Sequence, residues 1–313
     1  MRFAHRVSLL ICIGSLWLAA VARADDFSVV EPPEDLRQQL NLSPFYKKCL
    51  APGGFAIVSS DKVSDFALYE AAYVVNSMLA GRDDVRQALI KNRVRLAVMA
   101  PTELTCDIPE HSDLTPPAYW NRRARGLGAT RVRPAVSCAE ENVLGLVGDP
   151  YSTESILVHE FSHAIHIMGL NTVDPTFDQR LKEIYAQAMQ EELWKGKYAA
   201  TNHSEYWAEA VQSWFGTNRE NDHDHNHVNT RDELKEYDPR LAKLVDETFP
   251  NNNWQYIRPD KRPEVPAHLK GFDRAAAPKF QWPAEVIKAF EEHQAKKKKQ
   301  ETPSTKSETN PKD

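Results

Sequence analysis

Residues 152–169, with the sequence STESILVHEFSHAIHIMG, are the stretch from which the rest of this chain can be interpreted. Apolar residues recur in it at the three- and four-residue spacing of a helix. Ser152 or Thr153 can cap the start of such a helix, and Gly169 can end it. The sequence therefore predicts a helix over residues 152–166.

The middle of this helix, His159 to His163, fits the pattern H-E-x-x-H. Residues four apart lie on one face of a helix, so the imidazoles of His159 and His163 can bind one metal ion. Glu160 lies between them and is placed to act as a general base. The chain has 11 histidines, so a surface helix with two ordinary histidines is the alternative. A zinc ion held in this way needs a third protein ligand.

A second predicted helix, residues 205–215, offers that ligand. Glu205 and Glu209 lie four apart in it, and its aromatic and aliphatic residues predict that it is buried. Buried carboxylates are costly unless they are paired or bind a metal. We expect Glu205 to bind the metal and Glu209 to accept a hydrogen bond from the free ring nitrogen of a ligating histidine, with His159 favoured, although the two glutamates could exchange these roles. A salt-bridged helix face is the alternative for this pair.

Together these motifs resemble the gluzincin zinc metallopeptidases, and more closely the catalytic domain of anthrax lethal factor and its relatives. The sequence HEFSHA at 159–164 is similar to the HEFGHA helix of that domain, with Ser162 in place of glycine. A tyrosine, a Thr-Asn pair, and a glutamate followed by two aromatic residues and Ala-Glu-Ala then come in the same order in both. In this chain they are Tyr198, Thr201, Asn202, Glu205, Tyr206, Trp207, Ala208, Glu209 and Ala210.

The resemblance covers residues 151–215 and implies a set of roles. It implies one Zn²⁺ per chain, held by His159, His163 and Glu205, with Glu160 as general base. It also implies that Tyr198 donates its hydroxyl to the developing oxyanion, whereas a plain packing role is the alternative for this residue. Because the N-terminal half matches only in general shape, the resemblance implies no particular substrate.

The pattern along the chain predicts an α+β fold. We expect a zincin-like metallopeptidase domain with an N-terminal α/β part and a mostly helical C-terminal part, which carries the HExxH helix and the Glu-ligand helix. The N-terminal part reads as strand, helix, helix and strand, at 55–58, 65–79, 83–91 and 94–100. Further helices are predicted at 177–192, 240–247 and 284–293.

Residues 101–150, between these two parts, are predicted to be irregular. The segment RRARGLG at 122–128 could cradle a phosphate, but no nucleotide motif is complete, so an arginine-pinned loop beside an edge strand is favoured. Glu140 and Glu141 are the expected partners of these arginines.

Both ends of the chain differ in composition from the domain between them. Residues 1–24 combine a basic start, an apolar middle and Ala22-Arg23-Ala24, and so predict a secretory signal peptide, with an uncleaved anchor as the alternative. We expect one catalytic domain over 25–295 and a disordered lysine-rich tail over 296–313. The location should then be secreted or periplasmic, with no stable membrane span after cleavage. A net charge of −5 gives no reason to expect nucleic acid as a partner.

Three cysteines remain after signal cleavage, and two groups of histidines lie outside the main motif. Among Cys49, Cys106 and Cys138, the pairing Cys106–Cys138 is the one we expect. The His- and Asp-rich segment 221–227 could be a second metal site, but it has no apolar residues, so a flexible loop is favoured. His166 is predicted to pack or to support a metal ligand rather than to bind the metal itself, and His203 stays unassigned.

The sequence thus predicts an exported zinc-dependent endopeptidase whose partner is a peptide or protein of unknown identity. Two alternatives stay open. One is a zinc-containing binding protein that has lost turnover. The other is a metal-dependent amidase that acts on a non-protein substrate such as cell wall.

Overall fold

The computed structural model of this protein describes residues 28–301. The predicted signal peptide, 1–24, and residues 302–313 of the predicted tail lie outside the described residues. The last helix runs to Glu301, so the first part of the tail, predicted to be disordered, is helical. Within residues 28–301, no helix has both the length and the apolar character that crossing a membrane requires.

A five-stranded mixed sheet forms the centre of the N-terminal half. Its strands are β1 (Lys48–Leu50), β2 (Ile57–Ser59), β3 (Arg95–Met99), β4 (Gly126–Leu127) and β5 (Ala135–Ala139). They lie in the order β1-β2-β3-β5-β4, where β2, β3 and β5 are parallel and the two edge strands are antiparallel to their neighbours. The structure is therefore a mixed α+β fold with a small sheet, as predicted.

Helices surround this sheet and make up most of the C-terminal half. In the N-terminal half they are α1 (Glu34–Leu40), α2 (Asp65–Met78), α3 (Asp83–Lys91), α4 (Pro117–Arg123) and α5 (Glu140–Leu144). In the C-terminal half they are α6 (Ile156–Ala164), α7 (Asn171–Val173), α8 (Phe177–Gln190), α9 (His203–Trp214), α10 (Arg231–Tyr237), α11 (Pro239–Thr248) and α12 (Ala284–Glu301).

Residues of the central strands alternate between two apolar cores. Leu96 and Val98 on β3 face the large core that the helices fill, whereas Ala97 and Met99 face a smaller core on the other side of the sheet. This is the two-residue period of a strand, here with both faces buried. The α6 helix packs against β5 from the side of the large core, and α9 packs on α6.

Hydrogen bonds at the starts of α6 and α9 fix the position of these two helices along the chain. The Ser155 hydroxyl accepts from the Val158 N–H at 3.3 Å. The Asn202 side-chain oxygen accepts from the N–H groups of Ser204 and Glu205, at 2.9 and 3.0 Å. Such caps satisfy backbone donors that a helix start leaves unpaired. Asn202 therefore holds Glu205 in the first turn of α9.

The predicted ends of the 152–166 helix are wrong at both sides. Its cap is Ser155, rather than Ser152 or Thr153. Gly169 does not end it, because the chain continues through a π-helical stretch, Ile165–Leu170, into α7. A Cβ atom on Gly169 would lie 2.7 Å from the Val85 side chain. Glycine is therefore required here by the close approach of α3.

The prediction that residues 101–150 are irregular is also wrong, because they include the central strand β5, the edge strand β4 and two helices. The ion pair expected between the arginines and glutamates is confirmed for Arg125 and Glu141, which are fully buried with nitrogen and oxygen 2.6 Å apart. The expected Cys106–Cys138 bridge is wrong: the cysteines of the described residues are free. Cys138 is buried in β5, and the Cys106 thiol faces the Pro117 carbonyl instead.

Candidate metal centre

Three side chains from α6 and α9 meet at one point. The Nε2 atoms of His159 and His163 lie 3.2 Å apart, and Glu205 Oε2 lies 3.1 and 3.3 Å from them. Zinc bonds of about 2.0–2.2 Å at tetrahedral angles place neighbouring ligand atoms about 3.3 Å apart. The three donors form a triangle of this size, so the residues predicted as metal ligands fit a zinc ion.

The other ring nitrogens of both histidines have hydrogen-bond partners that orient the rings. His159 Nδ1 lies 2.7 Å from Gln212 Oε1, and His163 Nδ1 lies 2.9 Å from the Ser204 hydroxyl. The Gln212 amide nitrogen faces Glu154 Oε2 at 3.3 Å, which fixes which end of the amide meets His159. With a metal bound, His159 would donate its Nδ1 proton to Gln212 and offer its Nε2 lone pair to the ion.

Sequence reasoning missed Gln212, although a signal was present. Gln212 lies seven residues after Glu205, so it falls on the same helix face as Glu205 and Glu209. Glu209 was expected to accept the hydrogen bond from His159, but its carboxylate stays 3.6 Å from His159 Nδ1. It binds His225 Nε2 at 3.2 Å and the Asn218 amide at 3.0 Å instead.

The His- and Asp-rich segment 221–227 is part of the wall around this centre. His225 is buried, and its Nδ1 lies 2.8 Å from Asp222 Oδ1, so that it joins Asp222 to Glu209. The Asp224 carbonyl accepts the Tyr198 N–H at 2.8 Å. The segment is a loop, as predicted, and its contacts support both Glu209 and Tyr198.

Carboxylates dominate the charge around the two histidines. Burial alone would lower the pKa of His159, but its hydrogen bond to Glu205 and the nearby Glu160 and Glu209 raise it to about 10. Burial likewise works to raise the pKa of Glu205, and the hydrogen bonds from His159 and His163 bring it far below its ordinary value. Buried negative charge that exceeds the positive charge around it favours binding of a cation.

Glu160 and Tyr198 line the space in front of these donors. Both border two adjoining cavities of about 410 and 400 Å³, which also share His159 and Gly126. Burial raises the pKa of the Glu160 carboxyl, and the neighbouring histidines oppose that shift. Burial and the nearby Glu205 raise the pKa of Tyr198, so its phenol stays protonated and can donate a hydrogen bond.

The edge strand β4 forms the opposite wall of the cavities. A Cβ atom on Gly126 would lie 2.4 Å from the Ile156 side chain, and one on Gly128 would lie 2.8 Å from His163 Cβ. These two glycines let the strand run directly against α6. β4 pairs with β5 on one side only, and both of its residues line the cavities.

A second group of ligand-type side chains lies beside the first. His166 Nε2 and His203 Nε2 approach Asp178 Oδ1 at 3.0 and 3.4 Å. Lys182 Nζ binds the other oxygen of Asp178 at 2.6 Å. Burial lowers the pKa of His166 to about 4 although Asp178 opposes the shift. The lysine already balances the carboxylate, so this group attracts a further cation less than the first.

This chain is similar to known proteins in structure rather than in sequence. Neither a family model nor a curated protein matches this sequence. Among solved structures, the Pro-Pro endopeptidase PPEP-2 from Paenibacillus alvei is similar over 62% of this chain and 96% of its own, with 16% sequence identity and a TM-score of 0.36.

Proposed function

We propose that this protein is an exported zinc-dependent endopeptidase. The observation that carries the proposal is the convergence of two imidazoles and one carboxylate at 3.1–3.3 Å, with a carboxyl and a phenol bordering the same cleft. The ligands are His159, His163 and Glu205. Export is supported by the sequence of residues 1–24 alone.

Two further residues have distinct tasks in this proposal. When bound, zinc supplies the Lewis-acid chemistry that activates water and polarises a carbonyl. Glu160 accepts a proton from the attacking water at its carboxylate and returns it to the leaving amine. The protonated phenol of Tyr198 donates a hydrogen bond to the oxygen on which negative charge develops.

The shape of the cleft supports cleavage within a chain. The two cavities meet at Glu160 and extend to either side, so a peptide can occupy both at once. The unpaired edge of β4 can align such a peptide in an extended conformation, because backbone groups of an edge strand pair readily with another strand.

Glu160→Gln is the test of this proposal, with Glu183→Gln at an exposed position of α8 as the matched control. Both variants and the mature wild-type protein are loaded with zinc, assayed for metal content and incubated with an unbiased peptide library. We expect one zinc in each, cleavage by wild type and Glu183→Gln, and a loss of about 10²–10⁴-fold in rate for Glu160→Gln. Unchanged cleavage by Glu160→Gln would refute the proposal.

Two other outcomes correspond to the alternatives. Full zinc occupancy without cleavage of any peptide indicates a binding protein. Cell-wall fragments digested side by side with the library separate a peptidase from an amidase, because only the amidase leaves all peptides intact while it releases products from the cell wall.

A further inference from the structure

One arginine in the cleft, Arg123, has no carboxylate partner among residues 28–301. Three arginines border the larger cavity: Arg123, Arg125 and Arg219. Arg125 is bound by Glu141, and Arg219 lies 3.1 Å from Glu154 and 3.3 Å from Asp222. Within residues 28–301, Arg123 forms no ion pair, and the ionisable side chains that act on it most are tyrosines.

Arg123 lies at the junction of the two cavities. It borders both of them together with Glu160 and Tyr198, and its Nη2 lies 3.4 Å from the Tyr198 hydroxyl oxygen. A substrate group that reaches Arg123 is therefore next to the bond that is cleaved. The side chain is exposed, so this group can approach it directly from the cleft.

The backbone around Arg123 is held in place, so its side chain is presented from a fixed support. Its carbonyl accepts the Tyr151 hydroxyl at 3.1 Å, and the following Ala124 is buried. The α4 helix, which ends at Arg123, packs on α12, where the rings of Tyr119 and Phe290 stack with centroids 5.6 Å apart.

We propose that Arg123 binds a carboxylate of the substrate immediately beside the scissile bond. This inference rests on the proposed peptidase function and narrows its substrates to peptides with such a group. Guanidinium binds carboxylate through two parallel hydrogen bonds, a match that a neutral amide cannot reproduce. The carboxylate belongs either to an acidic side chain or to the C-terminus of a short peptide.

Neighbouring Arg122 provides the matched control. Its guanidinium lies over the rings of Trp282 and Phe290, at 4.8 and 5.6 Å from their centroids, and it borders neither cavity. Arg122→Gln removes the same charge one residue away from the proposed carboxylate site. A general effect of lost positive charge would appear in both variants, whereas a specific site appears only in Arg123→Gln.

The experiment compares peptide pairs that differ only by Glu or Gln within two residues of the cleaved bond, and pairs with a free or amidated C-terminus. We expect wild type and Arg122→Gln to prefer the carboxylate by roughly 10- to 100-fold in kcat/KM, as for a hydrogen bond to a charged group. The preference should fall to about one in Arg123→Gln. In Arg123→Glu, an added peptide with Lys at the same position should be preferred over the Glu peptide. The pair that shows the preference identifies the source of the carboxylate.

A binding measurement separates this inference from the proposed chemistry. Zinc-loaded Glu160→Gln, with and without Arg123→Gln, is titrated with the same labelled peptides and followed by fluorescence anisotropy. Tighter binding of the carboxylate peptides that depends on Arg123 supports the inference even if wild type cleaves none of them. Equal affinities for the Glu and Gln peptides, or an equal loss of both in Arg123→Gln, would overturn it.

Discussion

Two groups of two histidines and one carboxylate lie side by side in this protein, and they differ in donor spacing and in the charges around them. The first group consists of His159, His163 and Glu205. The second consists of His166, Asp178 and His203. In the first group the three donor separations are nearly equal, at 3.1–3.3 Å. In the second, both histidines approach a single aspartate oxygen, at 3.0 and 3.4 Å.

The nearest charges differ more than the distances do. Asp178, the carboxylate of the second group, is paired with Lys182 at 2.6 Å, and burial lowers the pKa of His166 although Asp178 opposes that shift. Glu205 has no lysine or arginine bound to it within residues 28–301, and Glu160 adds a second carboxyl beside it. Ligand types alone therefore do not define a metal site; the net charge around them decides which group attracts a cation.

The largest expected difference between the groups is in zinc affinity. Glu205→Gln removes a charged ligand and should weaken zinc binding by more than the roughly 10- to 100-fold that loss of an outer hydrogen bond costs. Asp178→Asn should leave one zinc per chain with unchanged affinity. Competition with a chromophoric chelator measures both. Two zinc ions in wild type, one of them lost in Asp178→Asn, would show that the second group also binds metal.

His166, in the second group, should also make the free energy of unfolding depend on pH. The pKa of His166 is lowered from 6.5 to about 4 in the folded protein, so the unfolded chain binds a proton first as the pH falls. Neutral His166 therefore contributes fully to the free energy of unfolding above pH 6.5. This contribution is lost as the pH falls toward 4, and the loss over the whole interval is about 3 kcal/mol. His166→Phe, which keeps an aromatic ring, should remove that dependence.

Urea unfolding of wild type and His166→Phe measures this effect, with a chelator present so that loss of metal does not contribute. The free energy of unfolding should fall more steeply in wild type between pH 6.5 and 4. The two proteins could instead lose stability in parallel over that interval. Asp178 would then hold His166 protonated in the folded state, and the two groups would not differ in their charge environment.

A smaller change in zinc affinity should show whether Gln212 or Glu209 is the hydrogen-bond acceptor that orients His159. Gln212→Leu removes the acceptor at 2.7 Å from His159 Nδ1 and should weaken zinc binding by roughly 10- to 100-fold. Glu209→Gln, whose carboxylate is 3.6 Å from the same atom, should have less effect. Zinc affinity is again the measurement. A greater loss in Glu209→Gln would restore the role that the sequence predicted for Glu209.

The sequence predicted those elements of the fold that are determined by residue spacing within one segment. The α2 and α3 helices, their order and strand β3 follow from spacing within single segments, and they were predicted within a residue or two. The central strand β5 was missed. Its sequence AVSCA is short and has no polar alternation, because both of its faces are buried.

The site shows the same limit. Helical spacing brings His159 and His163 to one face, which is a local property of α6, and the structure adds Glu205 to them. The pairing of Glu209 with His225 could not be predicted, because it depends on how segment 221–227 folds back on α9. That segment lacks apolar residues, yet Asp222, Asp224, His223 and His225 pair with one another or with Arg219.

The smallest difference we expect concerns the hydroxyl that orients the second histidine. Ser204 Oγ lies 2.9 Å from His163 Nδ1, and a neutral hydrogen bond contributes about 0.5–1.5 kcal/mol, so Ser204→Ala should weaken zinc binding by roughly 2- to 12-fold. Ser204→Thr keeps a hydroxyl and should retain most of the affinity. The backbone N–H of residue 204 still binds Asn202 in both variants, so the start of α9 is preserved.

Zinc affinity as low in Ser204→Ala as in Gln212→Leu would mean that the rings of His159 and His163 depend equally on the side chains that hydrogen-bond to them. A smaller loss would mean that His159 is the more strongly oriented ligand.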